Sequence, residues 1–119
     1  MKYMIMMFGE QSTVLETWEP DRIREMVDFM TSLNNDLTAS GELVSAIGLT
    51  DSSTAKLVRL DNGVAVTTDG PYAESKESVI GFWIVDVDSE ERAIEISSSI
   101  VTYSGVVELR RVGDAPPEV

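Results

Sequence analysis

Residues 79–87 constrain the fold more than any other segment, because they predict a β-strand that is apolar on both faces. A strand places successive side chains on opposite faces, and here each face carries large hydrophobic residues. One face carries Val79, Trp83, Val85 and Val87, and the other carries Ile80, Phe82 and Ile84. The sheet that contains this strand must therefore be covered on both sides.

The order of the other predicted elements is typical of a ferredoxin-like α+β fold with an additional hairpin. The hydrophobic pattern predicts a strand at 2–8, a helix between Trp18 and Gly41, strands at 43–49, 55–60, 64–68 and 79–87, a helix that opens at 88–91, and a strand at 106–112. Asp61, Asn62 and Gly63 predict a tight hairpin turn, because Asn and Gly tolerate a positive φ. We expect one domain over residues 1–113, with both helices on one face of an antiparallel sheet, and a loose tail over 114–119.

The number of predicted helices indicates a homodimer. Two helices cover one face of the sheet, so the opposite face exposes Ile, Phe, Met and Val side chains to water. A monomeric domain of 119 residues rarely leaves an apolar patch of that size uncovered. We therefore expect two copies of this chain to associate with their sheets face to face.

Charge and missing residue types exclude several classes of function. Nine basic and 21 acidic residues give a net charge of −12, which repels phosphate backbones and anionic lipids, so we expect no nucleic-acid or membrane partner. The chain has no His and no Cys, which excludes Ser/His and Cys/His nucleophile pairs, disulfides and metal sites built from His or Cys. We expect no cofactor and no metal. Without disulfides or an export signal, the cytoplasm is the expected location.

Residues 67–77 form the most distinctive motif, Thr-Thr-Asp-Gly-Pro-Tyr-Ala-Glu-Ser-Lys-Glu. One interpretation is structural, since Asp69, Gly70 and Pro71 have the composition of a turn. The other is that the turn holds polar side chains at the mouth of a cavity. Apolar walls would then raise the pKa of a carboxylate until it can act as a general acid or base. The candidates are Asp69 and Glu74 as catalytic groups, and Tyr72, Lys76 and Arg59 as ligand-binding groups.

Glu108 and Arg110 are two residues apart on a predicted strand and therefore share a face. They form either an ion pair at an edge or dimer contact, or a site in which Arg110 anchors a substrate carboxylate or enolate. Phe82 and Trp83 allow two interpretations as well, as core residues or as a stacking wall for an aromatic ligand.

The motif, together with residues 81–87 (Gly-Phe-Trp-Ile-Val-Asp-Val) and 107–110 (Val-Glu-Leu-Arg), resembles the YCII-related proteins and their subgroup named for a DGPF motif. The motif stands here as DGPYAESKE, and the resemblance covers nearly the whole chain. It implies a ferredoxin-like subunit that forms a dimeric α/β barrel. A recurring His and Asp pair suggests catalysis in the founding branch, but a chain without His cannot use that mechanism.

Two functional hypotheses remain. The first is a homodimer with a small-molecule cavity, between or within the subunits, that uses carboxylate and arginine groups for binding or acid–base chemistry. The second is a non-enzymatic regulatory module that acts on transcription through a protein partner, since the resemblance includes members joined to sigma-factor-like domains. The first needs polar groups around an enclosed cavity, whereas the second needs an exposed patch. Whether ligand binding leads to turnover is left open by these residues.

Overall fold

The computed structural model describes residues 1–72 and 78–113. Its elements, in chain order, are β1 (Lys2–Phe8), α1 (Gln11–Thr17), α2 (Pro20–Ser40), β2 (Leu43–Gly48), a 3-10 helix (Ser52–Thr54), β3 (Lys56–Asp61), β4 (Val64–Asp69), β5 (Val79–Asp86), α3 (Glu90–Ser104) and β6 (Val107–Arg111). The predicted α+β fold, its two long helices and its antiparallel strands are confirmed. The predicted tail over 114–119 lies outside the described residues.

The strands of the described residues form two sheets. Four strands form the main sheet in the order β2-β5-β1-β6, and every neighbouring pair is antiparallel. The strands β3 and β4 form a separate hairpin, as the sequence predicts. Asn62 has a φ of 49° and Gly63 a φ of 80°, and these left-handed conformations close the turn.

The helices begin and end at residues suited to those positions. Pro20 is the first residue of α2, where a missing N–H costs nothing. This helix ends at Gly41, after which the Glu42 N–H donates to the Leu37 carbonyl at 2.9 Å. In α3, Ser89 is the N-cap and accepts a hydrogen bond from the Arg92 N–H. Residues 11–17 were not predicted as a helix, because seven residues are too few to show a helical period.

One side of the main sheet forms the hydrophobic core with α2 and α3. The most buried residues are Tyr3, Ile5 and Met7 of β1, Trp83 and Val85 of β5, Leu37 of α2, and Ala93, Ile96 and Ile100 of α3. The odd-numbered residues of β1 and β5 thus face the helices, which confirms the predicted alternation. The smallest dimension of the molecule is 20 Å, as expected for one layer of helices on one sheet.

The opposite side of the main sheet, here called the outer face, is mainly apolar, and no helix within residues 1–72 and 78–113 covers it. It carries Met4, Met6 and Phe8 of β1, Ile47 of β2, Ile80, Phe82 and Ile84 of β5, and the charged residues Glu108 and Arg110 of β6. Its side chains on β1 and β5 are half-buried, and Ile47 is exposed. No helix among the described residues is long and apolar enough to cross a membrane.

An ion pair ties α3 to the start of β2 and predicts an acid-sensitive stability. Arg92 donates from Nε to Glu42 Oε2 at 2.8 Å and from Nη2 to Oε1 at 2.9 Å. This contact, aided by the Ser40 hydroxyl, lowers the pKa of Glu42 from 4.5 to about 2. Because the folded pKa is lowered, the stabilisation is complete above pH 4.5 and disappears as the pH falls towards 2.

We expect Glu42→Gln to lower the free energy of unfolding by about 1–2 kcal/mol at pH 7, since the pair is partly exposed to solvent. Urea unfolding at pH 7, 5 and 2.5 measures the effect, and the variant should lose less further stability than the wild type between pH 5 and 2.5. Glu95→Gln is the control, because Glu95 contacts the same arginine from an exposed position. Equal pH dependence in the wild type and Glu42→Gln would contradict this assignment.

Candidate functional site

A cavity of about 650 Å³, partly open to solvent, lies between α2 and the corner of the sheet formed by β2, β5 and the end of β1. Residues of α1 and the end of α3 complete its wall. Its helical wall lies on the helix-covered side of the sheet, and residues at the end of the sheet that belong to the outer face, such as Phe8 and Ile80, also contribute to the lining. The space exists within a single subunit, so it needs no second copy to form it.

Missing side chains create the floor of this cavity. Gly48 of β2 pairs with Gly81 of β5. Two residues earlier in β2, on the same face, Ala46 pairs with Trp83. An added Cβ at Gly81 would lie 3.0 Å from the Ile47 carbonyl oxygen, a tight contact that favours glycine at this position. An added Cβ at Gly48 would meet nothing within 4 Å. The floor of the cavity therefore lacks the side chains that would normally extend from these two strand positions into the core.

The walls are mainly aromatic and aliphatic. Three methionines contribute, Met7 from the sheet and Met26 and Met30 from α2, and their unbranched side chains adapt to ligands of different shapes. Trp18, which follows α1, and Trp83 of β5 also line the space. These are the two tryptophans of the chain, so their spectroscopic signals report directly on the cavity.

Asn34 is a polar group in this apolar wall. The Trp83 Nε1–H donates to its Oδ1 at 2.8 Å, across 49 positions in sequence. Trp83 is 5% exposed and Asn34 is half-buried on α2. An indole N–H can only donate, so the contact fixes which end of the Asn34 amide faces the tryptophan.

Aromatic side chains and one arginine join α2 to the end of α3 beside the cavity. The Arg22 guanidinium lies 4.4 Å from the centre of the Trp18 ring and 5.7 Å from that of Tyr103. The Tyr103 hydroxyl donates to Glu25 Oε1 at 3.0 Å, and its ring lies 5.1 Å from that of Phe29. Desolvation, followed by the contact with Glu25, raises the pKa of Tyr103. The tyrosine is therefore held as a protonated wall residue at neutral pH.

Two carboxylates fasten the start of α1 to the 3-10 helix. Ser52 donates its hydroxyl to Glu10 Oε2 at 2.7 Å, and the Ser12 N–H donates to Asp51 Oδ1 at 3.0 Å. The Ser12 N–H, together with Ser53, lowers the pKa of Asp51 to about 2. These contacts position the part of the wall that α1 supplies.

The described residues that the sequence predicted for a site lie away from this cavity. Asp69, at the end of β4, has a side chain 89% exposed and forms an ion pair with Lys56. Arg59 and Tyr72 are brought together, with the guanidinium 5.9 Å from the ring centre. Glu74 and Lys76 lie outside the described residues. None of the four described candidates lines the cavity.

Arg110 lies on the edge strand β6, on the outer face, with a side chain 72% exposed. Its Nη2 contacts Glu108 Oε2 at 2.7 Å, which is the ion pair that the sequence allowed. Its role as an anchor for a substrate stays a prediction. In the single chain, Arg110 belongs to the main sheet and Asp69 to the separate hairpin.

Sequence reasoning missed Asn34, Trp18 and the glycine pair. One signal was available, because a glycine inside an apolar strand marks a close approach or a missing side chain. Gly81 interrupts the most apolar strand, and Gly48 ends another. That the two glycines lie opposite each other follows only from the strand register.

Comparison with known proteins gives two findings. The family model of the YCII-related domain matches residues 1–115. A protein of Rhizobium meliloti (strain 1021), described as uncharacterized, is 23% identical to this chain over 100 residues, which cover 84% of this chain and 80% of that protein. Neither finding names a ligand or a reaction, so the chemistry of the site follows from its residues.

Proposed function

The chain belongs to the YCII-related domain family, and on that premise we propose that it is a homodimer of the DGPF subgroup that binds a small, largely apolar molecule in the cavity beneath α2. The cavity carries this proposal. Its volume of about 650 Å³ falls within the range of roughly 300–1,000 Å³ that is usual for small-molecule sites. Apolar walls with few polar groups are also the usual composition of such sites.

The outer face supports the homodimer. Its four strands span roughly 20 by 23 Å, given the usual strand spacing and rise per residue. Stable interfaces bury about 800 Å² on each partner, so a corrugated face of this size supplies a large share of what a dimer needs. Two such faces packed together would give the dimeric α/β barrel.

The polar residues predicted from the sequence form a second part of the proposal. Asp69 as an acid–base group, and Arg59, Tyr72 and Arg110 as binding groups, require a second copy to enclose them. Glu74 as a further acid–base group and Lys76 as a further binding group belong to the same proposal. Asp69, Tyr72 and Arg110 are exposed on the single chain. Any acid–base chemistry by these residues therefore depends on the dimer, whereas binding in the cavity does not.

The exposed hairpin favours a second candidate, the regulatory interaction module. Val58 of β3 is 68% exposed, Leu60 is 79% exposed, and Val64 of β4 is 64% exposed. An isolated two-stranded hairpin is marginally stable in water, so these residues suit contact with another protein surface. The regulatory function would depend on the hairpin and would not require the cavity.

Naphthalene is a suitable probe of the cavity because it is apolar, rigid and smaller than the available space. We expect saturable binding of one molecule per chain, with a dissociation constant on the order of 10–100 µM. Equilibrium dialysis measures both the stoichiometry and the constant. Absence of saturable binding would contradict the ligand-binding function and leave the interaction module.

A further inference from the structure

The orientation of the Asn34 amide identifies a hydrogen-bond donor in the cavity wall, and the inference drawn from it rests on the proposed ligand-binding function. Oδ1 of Asn34 accepts from the Trp83 indole at 2.8 Å. The opposite end of the amide is therefore Nδ2, which carries two hydrogens and can only donate. Among the described residues, no acceptor for these hydrogens is found.

A fixed donor in an apolar cavity favours a ligand with an acceptor. A hydrogen bond between neutral groups makes a modest net contribution to binding, whereas a buried donor left without a partner carries a larger penalty. A hydrocarbon that displaces water from Nδ2 leaves the amide without a partner, which costs binding free energy. A ligand with a carbonyl oxygen at this point avoids that loss.

The charges around the cavity disfavour an anionic ligand. Among the described lining residues only Glu10 carries a formal charge, and its carboxylate accepts hydrogen bonds from Ser52. Arg22, which lies nearby, is placed over the rings of Trp18 and Tyr103. The chain as a whole carries a net charge of −12. No cation is among the described lining residues, so a carboxylate or phosphate that enters this space would lose its hydration without an ionic partner in the wall.

We propose that the cavity takes a neutral, largely apolar molecule whose carbonyl oxygen, or a comparable acceptor, accepts a hydrogen bond from Nδ2 of Asn34. Trp83 is then a positioning residue, since its indole N–H holds the amide in the donating orientation. The remaining surface of the ligand contacts the methionine and tryptophan side chains.

Three probes of nearly equal shape test this proposal by equilibrium dialysis. They are 2-acetylnaphthalene, its isostere 2-isopropenylnaphthalene, in which a methylene group replaces the carbonyl oxygen, and the anion 2-naphthoate. We expect the ketone to bind at least fivefold more tightly than the isopropenyl compound, and the anion to bind most weakly. Equal affinity of the ketone and the isopropenyl compound would overturn the assignment of the donor, and so would tightest binding of the anion. Either result would still support the ligand-binding function. Absence of binding by all three would overturn both.

The variant Asn34→Asp tests whether the preference for the ketone arises from the Asn34 amide in the cavity wall. Aspartate keeps an oxygen for the Trp83 N–H but has no hydrogens to donate, so the preference for the ketone should fall to about one. Asn35→Asp is the matched control, because it makes the same change at the next, exposed position of α2. It should keep the wild-type preference. A ketone preference that persists in Asn34→Asp, or that Asn35→Asp also removes, would overturn the proposal.

Discussion

Gly48→Phe weakens the binding of naphthalene at least tenfold without lowering thermal stability. The added Cβ enters open space, and the phenyl ring stands on the floor of the cavity, where a ligand would otherwise contact the sheet. Phenylalanine also favours a strand more than glycine does and restricts the unfolded chain. Equilibrium dialysis measures the dissociation constant, and the melting temperature should stay equal or rise.

Ser98→Phe is the matched control for this substitution. It places the same side chain on the exposed side of α3, where Ser98 bonds only to the Ile94 carbonyl. Naphthalene should bind to this variant as it does to the wild type. Wild-type affinity in Gly48→Phe, with the fold intact, would show that the ligand binds elsewhere.

Ile84→Glu converts the proposed dimer into monomers. Ile84 lies on β5 in the middle of the outer face, beside Met4. In a face-to-face dimer, the substitution brings a carboxylate from each copy into a mainly apolar interface, and the lost hydration of the two like charges costs several kcal/mol. Sedimentation equilibrium should show at least a 100-fold weaker association, whereas each monomer keeps its helix-covered core.

Leu60→Glu separates the outer face from the hairpin as the surface of association. It makes the same change on the exposed hairpin and should leave the dimer intact. If Leu60→Glu dissociates the dimer and Ile84→Glu does not, the interface lies on the hairpin and not on the outer face. A wild-type chain that stays monomeric at micromolar concentration would contradict the proposed homodimer.

Local sequence signals predicted most of the fold. The strands β1 and β5 are continuous apolar runs, α2 has a helical period over 21 residues, and Asn62-Gly63 marks the hairpin turn. Each of these signals lies within one segment of the chain. The helix α1 was missed because its seven residues are too few to show a period.

The cavity could not be predicted in the same way, because it depends on contacts between distant segments. The pairing of Gly48 with Gly81 follows from strand register, and Asn34 meets Trp83 only after α2 packs on the sheet. The sequence instead favoured the motif at 67–77 as the site, because polar residues are concentrated in that short segment. Asp69 within it forms an exposed ion pair with Lys56 in the described structure.

Binding of a neutral apolar ligand beneath α2 can be followed residue by residue in a ¹H–¹⁵N NMR spectrum. The two indole signals of Trp18 and Trp83 and the amide signals of Asn34 all report on the cavity. Titration with 2-acetylnaphthalene should shift these side-chain signals together to saturation, with little change in the backbone amide signals of Asp69, Tyr72 and Arg110. Shifts confined to those three residues, with unchanged tryptophan and Asn34 signals, would contradict the account.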